Sequence, residues 1–258
     1  MSYIITDTKL SNIASAVRYK CGGGSMNITT MINKLSQLKQ SDGVIDVSQS
    51  SGANALSDAT RIATFDPEII DTSTMTSMKS MFAYWNESAL DFQDFDTSSA
   101  TDMSDMFNSN EATSLTNLTD FDTSNVTTMQ SMFQSAFATS LDLSGWDVSK
   151  VTKMHYMFNY CRAGSIDLSG WNTSNVDTMS YMFGSVGDSS YSGGKMWVPA
   201  SFTATNVSNA AEKPFYRPAR GSWNVYTNAT DATTQEWGTI APSFIVHYNS
   251  THQDFLNA

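Results

Sequence analysis

Four polar residues recur at one strand position: Asp91, Asn117, Asp142 and Asp167. In a parallel stack, neighbouring rungs lie about 5 Å apart. Carboxylates at that spacing repel unless they are screened, protonated or bridged by a cation such as Ca²⁺. The plainer expectation is a solvated polar face, with no metal bound. A second file, Asp71, Asp96, Asp122, Asp147 and Asn172, precedes each apolar run. That position calls for a side-chain acceptor, so helix capping is expected there. Tyr84, Trp85, Tyr156, Tyr160, Tyr181 and Tyr191 fall off the apolar stripe or in loops. Rings so placed suit stacking against sugars. The candidate contact residues are therefore Asp91, Asn117, Asp142 and Asp167 on the strand side, and Tyr156 and Tyr181 on the other. If strands and helices occupy opposite sides, only one set can matter.

Catalysis has little to build on. His155 lies between Met154 and Met157, at an expected solvent-facing helix position. His247 and His252 stand near Asp254, but His-x4-His without a third ligand is a poor metal pattern. No Gly-x-Ser-x-Gly, P-loop or His-Glu-x-x-His occurs. Cys161 is expected as a buried structural thiol. The expectation is a protein that is not an enzyme and takes no cofactor.

Composition narrows the classes further. The chain has 258 residues and a net charge of −11, with 14 Lys+Arg against 25 Asp+Glu. That balance offers no basic face for a nucleic-acid backbone. Ser and Thr make up 67 residues, yet 40% of the chain is hydrophobic, enough for a core. No run approaches the ~20 apolar residues that span a bilayer, and the N-terminus lacks the pattern of a secretory signal. Two cysteines, Cys21 and Cys161, exclude a disulfide framework. Synthesis in a reducing cytoplasm is expected.

The elements that position these residues are repeats. Met-Phe occurs at Met81-Phe82, Met106-Phe107, Met132-Phe133, Met157-Phe158 and Met182-Phe183, in steps of 25, 26, 25 and 25. Another Met precedes each pair by three, from Met78 to Met179, so ten of the fifteen methionines obey one rule. Each unit opens with a short alternating run, such as Leu141-Asp142-Leu143, that reads as a strand. Phe95, Phe121, Trp146 and Trp171 follow these runs and are expected to form a buried aromatic spine. The unit containing Leu115 to Leu118 has one extra residue, which predicts a bulge. The second half of each unit places apolar residues at i, i+3, i+6 and i+7, which predicts a short helix. Such a unit cannot bury its own apolar face, whereas stacked units shield one another. The expected fold is an α/β repeat solenoid of leucine-rich-repeat-like strand-plus-helix units.

Outside the repeats, residues 7–20 and 28–38 each carry one apolar stripe and predict two helices, separated by Gly22-Gly23-Gly24. Trp223–Tyr226 and Phe244–Tyr248 read as strands. The domain reading is a helical attachment segment over 1–40, a repeat solenoid with degenerate end units over 41–220, and a strand-rich C-terminal cap over 221–258.

Residues 69–186, with Leu-Asp-Leu-Ser-Gly-Trp-Asp-Val-Ser-Lys-Val-Thr-Lys-Met-His-Tyr-Met-Phe at 141–158, resemble the BspA-like leucine-rich repeats, which also occur in mycoplasma-type surface lipoproteins. That resemblance implies a surface adhesin. Residues 4–38 are similar to the N-terminal segment of many phage tail and baseplate proteins. No signal peptide, lipobox or wall-anchoring signal is visible, and a virion protein needs none. Together the resemblances imply a tail fibre or baseplate adhesin, made in the host cytoplasm and carried on the virion. Its N-terminus would dock to other tail proteins, as a homo-oligomer with a trimer favoured. Its solenoid would bind a host glycan or surface protein, with neither nucleic-acid binding nor membrane insertion. The alternatives are a purely structural tail or decoration protein and a bacterial cell-surface adhesin.

Overall fold

The computed structural model describes residues 45–46, 70–86, 88–187, 194–230, 237 and 239–258. The two N-terminal helices expected at 7–20 and 28–38 lie outside the described residues. The rest is a parallel β-solenoid. Its strands are β1 (Ile45–Asp46), β2 (Ile70–Asp71), β3 (Ala89–Asp91), β4 (Ser114–Thr116), β5 (Ser140–Asp142), β6 (Ser165–Asp167), β7 (Gly194–Trp197), β8 (Trp223–Tyr226) and β9 (Phe244–His247). A single α-helix, α1 (His252–Asn257), follows β9 among the described residues.

All strand pairings are parallel. β5 to β9 form one five-stranded sheet, while β3 and β4 form a separate pair. The break between β4 and β5 falls at the extra residue of the 26-residue step. There Asn117 takes a left-handed conformation (φ 59°) and Leu118–Asp120 form a 3₁₀ turn. The expected bulge is thus a ladder interruption. β8 and β9 continue the ladder beyond the Met-Phe repeats.

The helices expected inside the repeats are absent. On the side opposite the strands the coils are joined by a second ladder, Ser77–Asp102–Thr128–Lys153–Thr178. From Met78 to Trp85, alternate amides bond in two different directions. Met78, Ser80, Phe82 and Tyr84 donate to Asp102, Ser104, Met106 and Asn108 of the next coil. Met81, Ala83 and Trp85 donate three residues back, closing tight turns. Those turns need left-handed residues, and the same two positions supply them in every repeat: Ser80 and Tyr84, Asp105 and Ser109, Ser131 and Ser135, Tyr156 and Tyr160, Tyr181 and Ser185. The reason is spacing. Rungs repeat at about 4.8 Å, whereas an α-helix with side chains is about 10 Å across. A helix cannot ride on every rung if both sides of the coil keep strand spacing.

The core is stacked as regularly as the backbone. Met78, Met103, Met129, Met154 and Met179 are fully buried, as are Met81, Met106, Met132, Met157 and Met182. Phe82, Phe107, Phe133, Phe158, Phe183 and Phe215 form a continuous ring stack with centroid separations of 5.6, 5.2, 5.7, 5.5 and 4.9 Å. The spine Phe95, Phe121, Trp146 and Trp171 is buried beside it. Its indoles donate to the carbonyls of Leu118 and Leu143 in the preceding coil, at 2.7 and 3.0 Å. Their polar ends are therefore satisfied where no water reaches. A Cβ at Gly170 would lie 2.5 Å from the Ser144 carbonyl, so that corner admits only glycine. Buried Thr72, Thr97 and Thr123 each donate to the carbonyl of the following coil's Asp96, Asp122 or Asp147, at 2.6, 3.1 and 3.0 Å. Register is thus held by polar as well as apolar files.

Candidate functional site

The candidate residues fall on two sides of the coil. On the strand side, Asp142 pairs directly with Asp167 across β5 and β6. Asp91 pairs with Thr116 rather than Asn117, because the bulge shifts Asn117 out of the strand. The expected four-residue ladder is therefore one carboxylate pair and one separate Asp91. That Asp91 is already satisfied. The Asn117 amide donates to its carboxylate at 2.6 Å, and Gln93 N–H and the Thr116 hydroxyl add to it. The Asn117 bond, then the other two, hold its carboxyl below the usual range.

Asp167 is covered by the chain's own C-terminus. It accepts from the backbone N–H at 3.0 Å and from the hydroxyl of Ser169. Nε2 of His252, on α1, lies 2.6 Å from its other oxygen. The order of this trio matters chemically. A hydrolase triad places the histidine between the acid and the nucleophile. Here the aspartate is in the middle and the serine hydroxyl is spent on it, so His252 cannot activate Ser169. The expected neighbourhood of His247 and His252 also separates. His247 lies 2.9 Å from Asn224 Oδ1 and stacks on Tyr226, while His252 packs on Trp197 and Phe255. No group of three His, Cys, Asp or Glu able to hold a metal occurs among the described residues.

The second acidic file caps turns rather than helices. Asp96, Asp122, Asp147 and Asn172 each accept from the backbone N–H two residues on, at 2.9 to 3.1 Å. This is the Asx-turn arrangement. Bonds from the Ser124 hydroxyl and amide lower the Asp122 carboxyl, and bonds from the Ser149 amide and hydroxyl lower that of Asp147.

The opposite side carries the tyrosines. Tyr156 and Tyr181 stand in register on adjacent coils and stack at 5.0 Å with planes 17° apart. Both rings are half-buried, and both residues are left-handed (φ 60° and 58°). Neither side chain projects from a helix; each leaves the turn where the backbone reverses. Their neighbour His155 is half-buried rather than solvent-facing. Burial is the main cause that lowers its pKa, and its Nδ1 lies 3.3 Å from Thr178 Oγ1. Ser131, in the same file as Tyr156, is buried as well.

Sequence reasoning missed the partners of these rings. The Arg217 guanidinium lies 4.6 Å from the Tyr181 ring centroid and donates to its hydroxyl at 2.8 Å. Arg220 lies 5.0 Å from the Tyr160 ring, and Arg162 lies 3.7 Å from that of Phe137. Three of the chain's five arginines thus meet aromatic rings. The signal available was the run Pro214-Phe215-Tyr216-Arg217-Pro218-Ala219-Arg220, which concentrates charge in an otherwise acidic chain.

A family model described as a Mycoplasma protein of unknown function, DUF285, matches residues 50–166 and 76–197, together more than half of the chain. The chain belongs to this family. No curated protein and no solved structure matches it. The DUF285 match covers β2 to β7 and with them Tyr156, Tyr181 and both acidic files. β8, β9, α1 and the Arg217–Arg220 segment lie beyond it.

Proposed function

We propose that this DUF285 chain is a phage tail fibre or baseplate protein that binds the host surface without cutting it. The N-terminal resemblance supports attachment to the virion through residues 1–40, with a trimer favoured. The repeat solenoid is then the adhesive part. The observation that carries the binding role is the Tyr156–Tyr181 stack, whose rings are held in register on a rigid scaffold. The strand side is the weaker candidate, because Asp91 and Asp167 are already bonded within the chain. Regular surfaces of this kind collect binding energy from several modest contacts, and multiple copies raise it by avidity, roughly 10²–10⁴-fold. The resemblance of residues 69–186 to repeats of surface lipoproteins supports a second reading, a bacterial surface adhesin; genes for tail proteins beside this one would exclude it.

The test incubates purified protein with host cell walls and follows both retention and soluble sugar. Retention lost in Tyr156→Ala but kept in Asp142→Ala supports the tyrosine side. Failure to block phage adsorption leaves only a structural role. Saccharide release that vanishes on mutating a carboxylate makes the protein an enzyme and overturns the proposal.

A further inference from the structure

The tyrosine side has a charge preference as well as a shape. Arg217 and Arg220 are both exposed. Arg217 spends one side-chain N–H on Tyr181 Oη, and Arg220 has only the Tyr160 ring. A guanidinium carries five N–H donors, so most of these donors face solvent. Among the described residues no carboxylate pairs with either arginine, and the ion pair found there joins His252 to Asp167. The chain has a net charge of −11, yet none of its described carboxylates pairs with these two arginines.

The backbone fixes the two arginines in place. Ser185 N–H donates to the Pro218 carbonyl at 2.7 Å, and Arg220 N–H donates to Val186 at 2.8 Å. The segment is therefore stitched to the coil that carries Tyr181. A glycine makes room for it: a Cβ at Gly187 (φ 96°) would lie 2.9 Å from the Arg220 carbonyl. Between Arg220 and Tyr160 the file holds the small Ser185, so the guanidinium reaches a ring two coils away. Tyr160 remains 46% exposed and Tyr216, 5.5 Å from Arg217, 37% exposed.

We infer that this surface binds an anionic saccharide, with a sugar face on the exposed tyrosine rings and its carboxylate or phosphate on Arg217 and Arg220. The inference rests on the surface-binding reading and names its ligand class. Aromatic rings alone would take neutral sugars. Forked guanidinium donors held beside them match planar or tetrahedral oxyanions. A long nucleic-acid backbone is disfavoured by the chain's net negative charge, whereas a single charged sugar meets the local field of two arginines.

The experiment immobilises the full chain and measures binding of four paired probes: sialyllactose with lactose, and mannose 6-phosphate with mannose. A ten-nucleotide oligothymidylate is the fifth probe. An acidic sugar should bind at least tenfold more tightly than its neutral partner, and the two pairs tell carboxylate from phosphate. The double variant Arg217→Gln/Arg220→Gln should lose that preference, while Lys79→Gln, which lies between Met78 and Ser80 in the first Met-Phe repeat, keeps it. An unchanged melting temperature in the double variant shows that it still folds. Equal binding of acidic and neutral sugars overturns the charge assignment and leaves surface binding standing. Retention on host walls with no acidic probe bound does the same. Loss of both wall retention and sugar binding sinks the broader reading too. Oligothymidylate bound more tightly than every saccharide overturns the inference in favour of nucleic acid.

Discussion

Replacing Ser135 by glycine and, separately, by alanine distinguishes tight turns from helices in the second half of each repeat. Ser135 is half-buried, has φ 56°, and donates its amide to Asn159 of the next coil. An L side chain in this left-handed conformation costs roughly 1–2 kcal/mol, which glycine avoids. Glycine also gives up about 0.5–1 kcal/mol through its freer unfolded chain. The glycine variant should therefore be more stable than the alanine variant by about 0.5–1 kcal/mol. In a helix interior the order reverses, with alanine favoured by about 1 kcal/mol. The sign is thus diagnostic. For a chain of this size 1 kcal/mol moves the melting temperature by about 2–4 °C. Triple variants at Ser109, Ser135 and Ser185, all left-handed at one file, should widen the gap to roughly 2 kcal/mol. Urea melts of the paired variants provide the measurement. An alanine series more stable than the glycine series would refute the turn geometry and restore the helix.

Phe133→Ala should cost about 3–5 kcal/mol, at the upper end because the ring is fully buried and stacks on Phe107 and Phe158 of both neighbouring coils; exposed Glu111→Ala should stay within about 0.5 kcal/mol, and equal losses in chemical melts would contradict the stack. Acid should destabilise the solenoid. The carboxyls of Asp91, Asp122 and Asp147 are lowered from 3.8, so their contribution is present above that value and is lost as pH falls through their folded pKa values. Thermal melts should fall steeply below about pH 4 and less so in Asn117→Ala, which removes the main donor to Asp91. Cys161 is fully buried and its thiol is pushed up to about 12; a thiol reagent at pH 8 should label it only after denaturation, and rapid native labelling would show the coil to be open there.

How much was legible in the sequence depended on which bonds decide each feature. The 25-residue period, the inward methionines and phenylalanines, the aromatic spine and the bulge near Asn117 all follow from one chain's own pattern. Side chains that must stack on their copies repeat where their copies lie. The path between Met78 and Trp85 did not follow. Apolar residues at i, i+3, i+6 and i+7 face inward equally well from a helix and from successive tight turns. What chooses between them is where the amides bond. Alternate amides here bond to the next coil, which exists only once the stack forms. Strand-side Asp142 and Asp167 were placed together by the repeat itself. Their cover was not, because His252 reaches Asp167 from 85 residues away. Tyr156 and Tyr181 were legible as a pair one period apart. Arg217 and Arg220 were not, because they lie outside the repeat and join the tyrosines through backbone pairing at Ser185 and Val186. Periodic neighbours are written in the sequence; aperiodic ones are set by the coil onto which the tertiary fold lays them.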